Sequence, residues 1–246
     1  MLREILVKIK GLRDEYQDKK LEEKFNRLTV GRMSVEAAID RAEFLGRTDS
    51  ICDVLIENAK LTKSDRVLDI GCWTGIWEYL LEKRDYNNFM SIDISKDAVR
   101  IANKIKKMYK MRSIFRVGDA ERLKFPDKSF DVVLLFSTLH HLPRKSMEKS
   151  LAEAKRVLKK GGRVVVTEPN LWNLKIILNH MLDKMSYNEF PYSYPNMVGE
   201  VGRHFRIEKV FTRRFVPRTE KADAVLQKIP IINKLGSQTF IVGRRD

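Results

Sequence analysis

The chain has 246 residues, 43% of them hydrophobic and 33% charged, which is enough for one full core, so a single α/β domain with additions is expected rather than two equal domains. No apolar run approaches the roughly 20 residues that a membrane-spanning helix needs. Arg3, Glu4, Lys8 and Lys10 deny the first twelve residues the apolar centre of a signal peptide, and a cytoplasmic protein is expected. Lysine and arginine exceed the acids to give a net charge of +15, enough to attract phosphates over a Debye length. The charge is spread over the termini, over Lys104 to Arg112 and over Arg203 to Arg218, with no aromatic-interleaved motif. Glutamine is scarce while Lys, Arg and Glu abound, the bias of proteins from hot environments. A solvated basic surface is favoured over a nucleic-acid footprint. Cys52 and Cys72 supply neither a disulfide framework nor a metal-ligand set, so two free thiols and no metal are expected.

Residues 1–62 read as a helical addition. Leu2, Ile5, Leu6, Ile9 and Leu12 fall at helical spacing, and Ser34 is a cap for a second helix with Val35, Ala38, Ile39, Ala42 and Leu45 on one face. A third helix, from about Asp49 to Ala59, leads into the polar turn Lys63-Ser64-Asp65. From residue 63 strand and helix alternate, which argues a parallel sheet. Strands are expected at Arg66–Ile70, Phe89–Ile92, Ser113–Val117, Phe130–Phe136 and Arg163–Thr167. A helix begins near Ile76, Ser95 caps another, and Pro143 opens one that runs to Leu158 before Gly161 ends it. Arg206–Phe215 and Gln238–Val242 read as two more strands.

Between the fifth strand and that pair, residues 170–203 form the least generic stretch. Leu171, Leu174, Leu178, Met181, Leu182 and Met185 fit an amphipathic helix, followed by Tyr187, Phe190, Tyr192 and Tyr194 among prolines. Because ligands bind beyond the carboxyl ends of strands in open α/β sheets, an insertion there can roof the site, with Tyr187, Tyr192 and Tyr194 as lid residues. A core-packing helix with an ordinary aromatic turn is the competing reading.

The first strand runs directly into a glycine-bracketed turn, Val67-Leu-Asp-Ile-Gly-Cys-Trp-Thr-Gly75, and the second ends in Ser91-Ile-Asp-Ile-Ser95. Asp93 thus stands about 20 residues beyond the turn, where ribose hydroxyls are held in doubly wound folds. The turn lacks the third glycine that presses a pyrophosphate onto a helix N-terminus, which disfavours a dinucleotide. These residues, with Gly118-Asp119-Ala120, Phe130-Asp131-Val132-Val133, Leu139-His140-His141-Leu142 and Val157-Leu158-Lys159-Lys160-Gly161-Gly162 in the same order, resemble the class I S-adenosylmethionine-dependent methyltransferases, in particular the broad family of small-molecule methyltransferase domains.

That resemblance implies a Rossmann-like fold: a mostly parallel seven-stranded sheet with an antiparallel last strand, here with a helical N-terminal addition and a helical lid inserted after the fifth strand. It implies S-adenosyl-L-methionine as cofactor, with Asp93 on the ribose, Asp119 followed by Ala120 at the adenine amino group, and Asp69 orienting the turn and meeting the ammonium end. Gly71 and Gly75 would admit the methionine part, Cys72, Trp73 and Ile94 would flank it, and Phe136 and Ser137 would line the pocket through their backbone. Each of the acids also has a plain structural role open to it, in a turn or a helix cap. His140 and His141 are weak candidates for a general base, since a histidine there also serves to cap or pack the next helix. Trp73, where the family has glycine, departs from the pattern beside the expected methionine tail. Thr167-Glu168-Pro169-Asn170 is not the Asn-Pro-Pro-Tyr or Asp-Pro-Pro-Tyr signature of exocyclic-amine methylation, which weakens a base-modifying enzyme. A small-molecule acceptor is expected, with an RNA methyltransferase and a non-catalytic binding protein as alternatives.

Overall fold

A computed structural model describes residues 30, 33–48, 51–174, 176, 192–213, 229 and 234–246. The expected first helix, the lid positions Leu178, Met181, Leu182 and Met185, and Tyr187 and Phe190 lie outside the described residues.

Helix α1 (Val35–Thr48) starts where the Ser34 hydroxyl accepts from the Ala37 amide at 3.0 Å, and it buries Ala38 and Ala42. Helix α2 (Ile51–Asn58) follows. The turn after it is tied to the sheet by Arg163, whose guanidinium donates to the Ala59 carbonyl at 2.6 Å and to Asp65 at 2.8 Å. Five parallel strands come next, with helices between all neighbours in sequence except β3 and β4: β1 (Val67–Ile70), α3 (Ile76–Glu82), β2 (Phe89–Asp93), α4 (Lys96–Tyr109), β3 (Ile114–Val117), β4 (Phe130–Phe136), α5 (Arg144–Val157) and β5 (Leu158–Pro169). Helix α6 (Tyr194–Gly202), β6 (Arg206–Arg213) and β7 (Gln238–Arg244) complete the fold.

The sheet order is β3-β2-β1-β4-β5-β7-β6, and β7 runs antiparallel to both neighbours, with Val165 opposite Val242 and Phe211 opposite Phe240. All four residues of β1 are buried, because helices cover both faces of a parallel sheet and leave no polar side for the strand to show. Alternate residues go to opposite layers. Val67, Leu134, Phe136 and Val165 pack beneath the helices from α1 to α4, whereas Leu68, Ile70, Val133, Leu135 and Val164 pack with α5 and α6. The N-terminal helices α1 and α2 therefore share a core layer with the sheet. No helix among the described residues is long and apolar enough to cross a membrane.

Two elements differ from the sequence reading. Helix α5 stops at Val157, and Leu158 already belongs to β5. The chain's own end is responsible: the Gly161 amide donates to the Arg245 carbonyl at 2.8 Å, the Arg245 amide returns to Gly162 at 2.9 Å, and the Ser129 amide takes the Val157 carbonyl at 2.7 Å. Gly161, at φ +72°, turns the strand instead of ending the helix. Helix α6 was not expected. Pro195 fits its first turn, where no amide donor is required, and Met197 and Val201, four apart, are buried in the second layer.

Candidate active site at the carboxyl ends of the strands

The turn after β1 is held against β2: the Gly71 and Cys72 amides both donate to the Ile92 carbonyl, at 2.8 and 3.0 Å, and the Gly75 amide closes on Cys72 at 2.9 Å. Gly71 and Gly75 adopt φ of +82° and +74°, which favours glycine. Packing demands glycine as well. A Cβ on Gly71 would land on the Thr138 hydroxyl, which donates to Ile70 at 3.0 Å, and one on Gly75 would lie 2.7 Å from the Phe115 ring. Gly71→Ala is therefore expected to cost about 1–3 kcal/mol from backbone strain, with displacement of Thr138 added, and to lower the thermal midpoint in calorimetry.

Trp73 adopts φ +49°, uncommon for a bulky residue. Its half-buried ring packs on the first core layer beneath the Arg41 guanidinium of α1, 5.0 Å from the ring centroid. The side chain that replaces the family's glycine is thereby engaged by the N-terminal helices. Its amide donates to Asp93 Oδ2 at 2.8 Å, and Asp93 Oδ1 accepts from the Ser95 amide at 2.8 Å. Burial raises the Asp93 pKa, and these two amides offset only part of that rise. The Ser95 hydroxyl in turn caps α4 by accepting from Ala98 at 3.2 Å. Each carboxylate oxygen still has a second lone pair, so this structural role of Asp93 leaves it able to accept ligand hydroxyls.

Asp119 lies beside Asp93, because the Gly118 amide donates to the Asp93 carbonyl at 3.0 Å. Its Oδ1 accepts from the Glu121 amide at 2.9 Å, which fixes the local turn. Ala120 packs partly buried on the second core layer, and Ile94 is half-buried between Asp93 and Ser95. Phe136 is buried edge-on to Trp77, with ring centroids 6.3 Å apart. Ser137, next along, is exposed at φ +50° and donates its amide to Thr167 at 2.7 Å. Cys72 is buried, and burial followed by the nearby Glu78, Asp93 and Asp69 pushes its thiol pKa well up, so it is not a thiolate.

Asp69 and Glu78 face each other in the first layer. Asp69 is 1% exposed and its Oδ1 has no hydrogen-bond partner; burial first, then Glu78 and Asp93, drive its pKa well above the usual carboxyl range. Burial also raises the Glu78 pKa, against the Ser91 hydroxyl that donates to it at 2.5 Å. Glu78 escaped the sequence reading because, with Glu82 one turn on, it reads as part of the polar stripe of a mostly apolar helix.

Glu168, at the end of β5, escaped it too. Its Oε1 accepts from the Thr138 and Leu139 amides at 3.0 and 2.7 Å, and its Oε2 lies 2.5 Å from His140 Nδ1. Both side chains are buried, and they hold the short 3₁₀ turn Leu139–His141 over the end of β4. His141 is half-buried, its ring tilted against that of His140 with centroids 4.0 Å apart. The available signal was an acid two residues before Asn170, in the strand-end position where β4 also breaks.

Of the lid tyrosines, Tyr192 is buried in the second core layer and bridges in register to Asn170, while Tyr194 starts α6 and stacks on Trp172 at 6.1 Å. Asn170 is fully buried and donates to the Lys234 and Gly236 carbonyls at 2.8 and 2.9 Å, joining the end of β5 to the approach of β7. The structure therefore gathers the expected residues of β1 to β4 along one edge of the sheet, with Tyr192 set into the core. Among the described residues no three His, Cys, Asp or Glu side chains gather to hold a metal.

The donor set fits a cationic, hydroxyl-bearing nucleotide: an unpartnered buried carboxyl oxygen at the end of β1 suits an ammonium group, and an anchored carboxylate at the end of β2 suits a diol. Comparison with known proteins agrees. A family profile described as a methyltransferase domain matches residues 68–166. An uncharacterised protein of Methanocaldococcus jannaschii is 31% identical over 68% of this chain and 61% of its own length. The 27-O-demethylrifamycin SV methyltransferase of Amycolatopsis mediterranei is 37% identical over 48% of this chain and 44% of its own length. The chain thus matches about half to three fifths of the length of these relatives. A crystal structure of a Pyrococcus horikoshii protein superposes with a TM-score of 0.63 at 20% identity, over 83% of this chain and 92% of that one, which extends the likeness of fold beyond the profile. The chain carries a class I S-adenosylmethionine-dependent methyltransferase domain.

Proposed function

We propose that the protein transfers the methyl group of S-adenosylmethionine to a small-molecule acceptor. The observation that carries this reading is the row of acids Asp69, Asp93 and Asp119 at adjacent strand ends, with Asp93 tied to the glycine-bracketed turn through the Trp73 amide and Asp119 to its own turn through the Glu121 amide. The bound cofactor supplies an activated methyl group, so the chain's own task is to bind, orient and exclude water. Asp93 accepts the ribose hydroxyls, Asp119 takes the adenine amino group, and Asp69 takes the amine. Holding two partners in line can supply roughly 7–11 kcal/mol of the barrier, which leaves little for a dedicated base to add. A relative that acts on demethylrifamycin supports a small organic acceptor. The test is calorimetry with S-adenosylmethionine, its demethylated product and NAD. One site for each of the first two and none for NAD is expected, and tighter binding of NAD overturns the assignment. An RNA substrate instead predicts saturable RNA binding with a steep salt dependence.

The segment between Leu171 and Tyr192 belongs, in this reading, to the acceptor side. Its ends already meet, since the Leu171 amide donates to the Tyr192 carbonyl at 3.0 Å. Replacing residues 175–191 by a short flexible linker is expected to leave cofactor affinity largely unchanged and to abolish transfer to any acceptor. Asn170 must stay, because its side chain anchors the approach to β7. Loss of cofactor binding in a variant folded by circular dichroism would sink the acceptor-side role.

A further inference from the structure

Two carboxyl oxygens in the first core layer, Asp69 Oδ1 and Glu78 Oε2, are sealed from water without a hydrogen-bond partner. Both side chains are 1% exposed. Two carboxylates have only acceptors to offer each other, so a fully ionised pair would be repelled at this depth. One proton resolves the arrangement: a carboxylic acid on one residue donates to the carboxylate of the other, as when like charges share a site. The groups that act on the pair from each packed element are Cys72 in the turn, Asp93 and the Ser91 hydroxyl on β2, and Glu82 along α3, acidic or neutral in every case. The pair therefore sits in a negative environment at the end of the strand that leads into the glycine-bracketed turn, and that field favours a cation brought against it.

We propose that Glu78 is the second half of a carboxyl pair with Asp69 that takes the cationic amine of the cofactor, and that the one proton they share passes to solvent as the cofactor binds. The proposal rests on the S-adenosylmethionine reading. The charges balance: the pair goes from one negative charge to two as one proton leaves, and the cofactor's cation replaces that proton as the partner of the Asp69 carboxylate. Glu78 acts through Asp69 and is a positioning residue. Its amide analogue keeps the shape while donating to Asp69, so Asp69 is ionised before the cofactor arrives.

The test is calorimetric titration of the full chain with S-adenosylmethionine in two buffers of equal pH and different ionisation enthalpy, repeated at pH values rising from the ordinary carboxyl range upward, because burial raises both carboxyls above that range. The parent is expected to release up to one proton per cofactor, Glu78→Gln close to none. Ser91→Ala removes a bond that favours the charged Glu78 and is expected to move the release to higher pH. Equal apparent enthalpies in both buffers for the parent, parent-like release from Glu78→Gln, or an unmoved window in Ser91→Ala overturns the proposal.

A second measurement needs no cofactor. A carboxyl raised by folding contributes stability that is present at low pH and lost as pH rises through the raised value. The thermal midpoint of the ligand-free parent is expected to fall across that window and the Glu78→Gln profile to be flatter. Identical profiles overturn the shared proton. A parent with this pH dependence that nevertheless takes up no cofactor overturns the cofactor reading and the release step, and leaves the shared proton standing.

Discussion

Asp93→Ala is expected to weaken S-adenosylmethionine binding by about ten- to a hundredfold or more. Charge-assisted hydrogen bonds are worth roughly 1.5–3 kcal/mol each, and about 1.4 kcal/mol is tenfold in affinity. The structure adds a second reason: the carboxylate also holds the Trp73 and Ser95 amides, so alanine frees the cofactor turn from the end of β2 as well. Asp93→Asn separates the two contributions. It keeps an acceptor for one amide and loses the charge, so an intermediate affinity is expected. Asp119→Ala should cost on the order of 1 kcal/mol, because one neutral amino group is a weaker partner than a diol. Asp127→Ala is the control; its ion pair with Arg156 at 2.6 Å is largely exposed and contributes little. Dissociation constants by calorimetry, with folding confirmed, decide the matter. A value for Asp93→Ala within about twofold of the parent is too small for any charge-assisted bond and removes Asp93 from the ribose site.

Glu168→Ala is expected to be the most damaging substitution to the fold. The variant strands the Thr138 and Leu139 amides and the His140 ring in a dry interior, since both side chains of the pair are at most 4% exposed. Leaving the two amides and the ring without their acceptor costs roughly 1–3 kcal/mol per buried group, so a loss of about 3–5 kcal/mol is expected. For a chain of this size each kcal/mol moves the thermal midpoint by about 2–4 °C, so a fall of about 6–20 °C is expected by scanning calorimetry. Glu168→Gln keeps part of the acceptor set and should fall less. His140→Asn tests whether the histidine matters beyond this anchoring. If it leaves both the midpoint and methyl transfer unchanged, the ring is one more donor to Glu168 and has no part in the chemistry.

The strands were legible because parallel strands covered on both faces are continuous apolar runs. Val67–Ile70 and Phe130–Phe136 are recognisable from hydropathy alone, and their bounds moved by at most one residue. Caps were legible for a similar reason: Ser34 and Ser95 act on amides three residues away, so their effect is local in the chain. The end of α5 was misread because Gly161 looks like a helix stop until the Arg245 backbone, more than eighty positions on, is brought against it. Helix α6 was hidden by its prolines and tyrosines, whose turn-like composition is overridden by burial of Met197 and Val201.

The sequence by itself determined the parallel strands, the glycine-bracketed turn after β1 and the acids Asp69, Asp93 and Asp119 at the ends of the first three strands. It could do so because glycine spacing, apolar runs and strand-end carboxylates are written in neighbouring residues. Only the tertiary structure decided what the acids hold: Asp93 ties two amides, Glu168 anchors the turn that carries His140, and Glu78 faces Asp69 in the core. It also decided that Trp73 packs beneath Arg41 of the N-terminal helices. Apart from the Asp93–Ser95 bond, these contacts join residues about nine to thirty-two positions apart, and their strength comes from burial. Local spacing carries no record of which polar groups the folded chain will take out of water together.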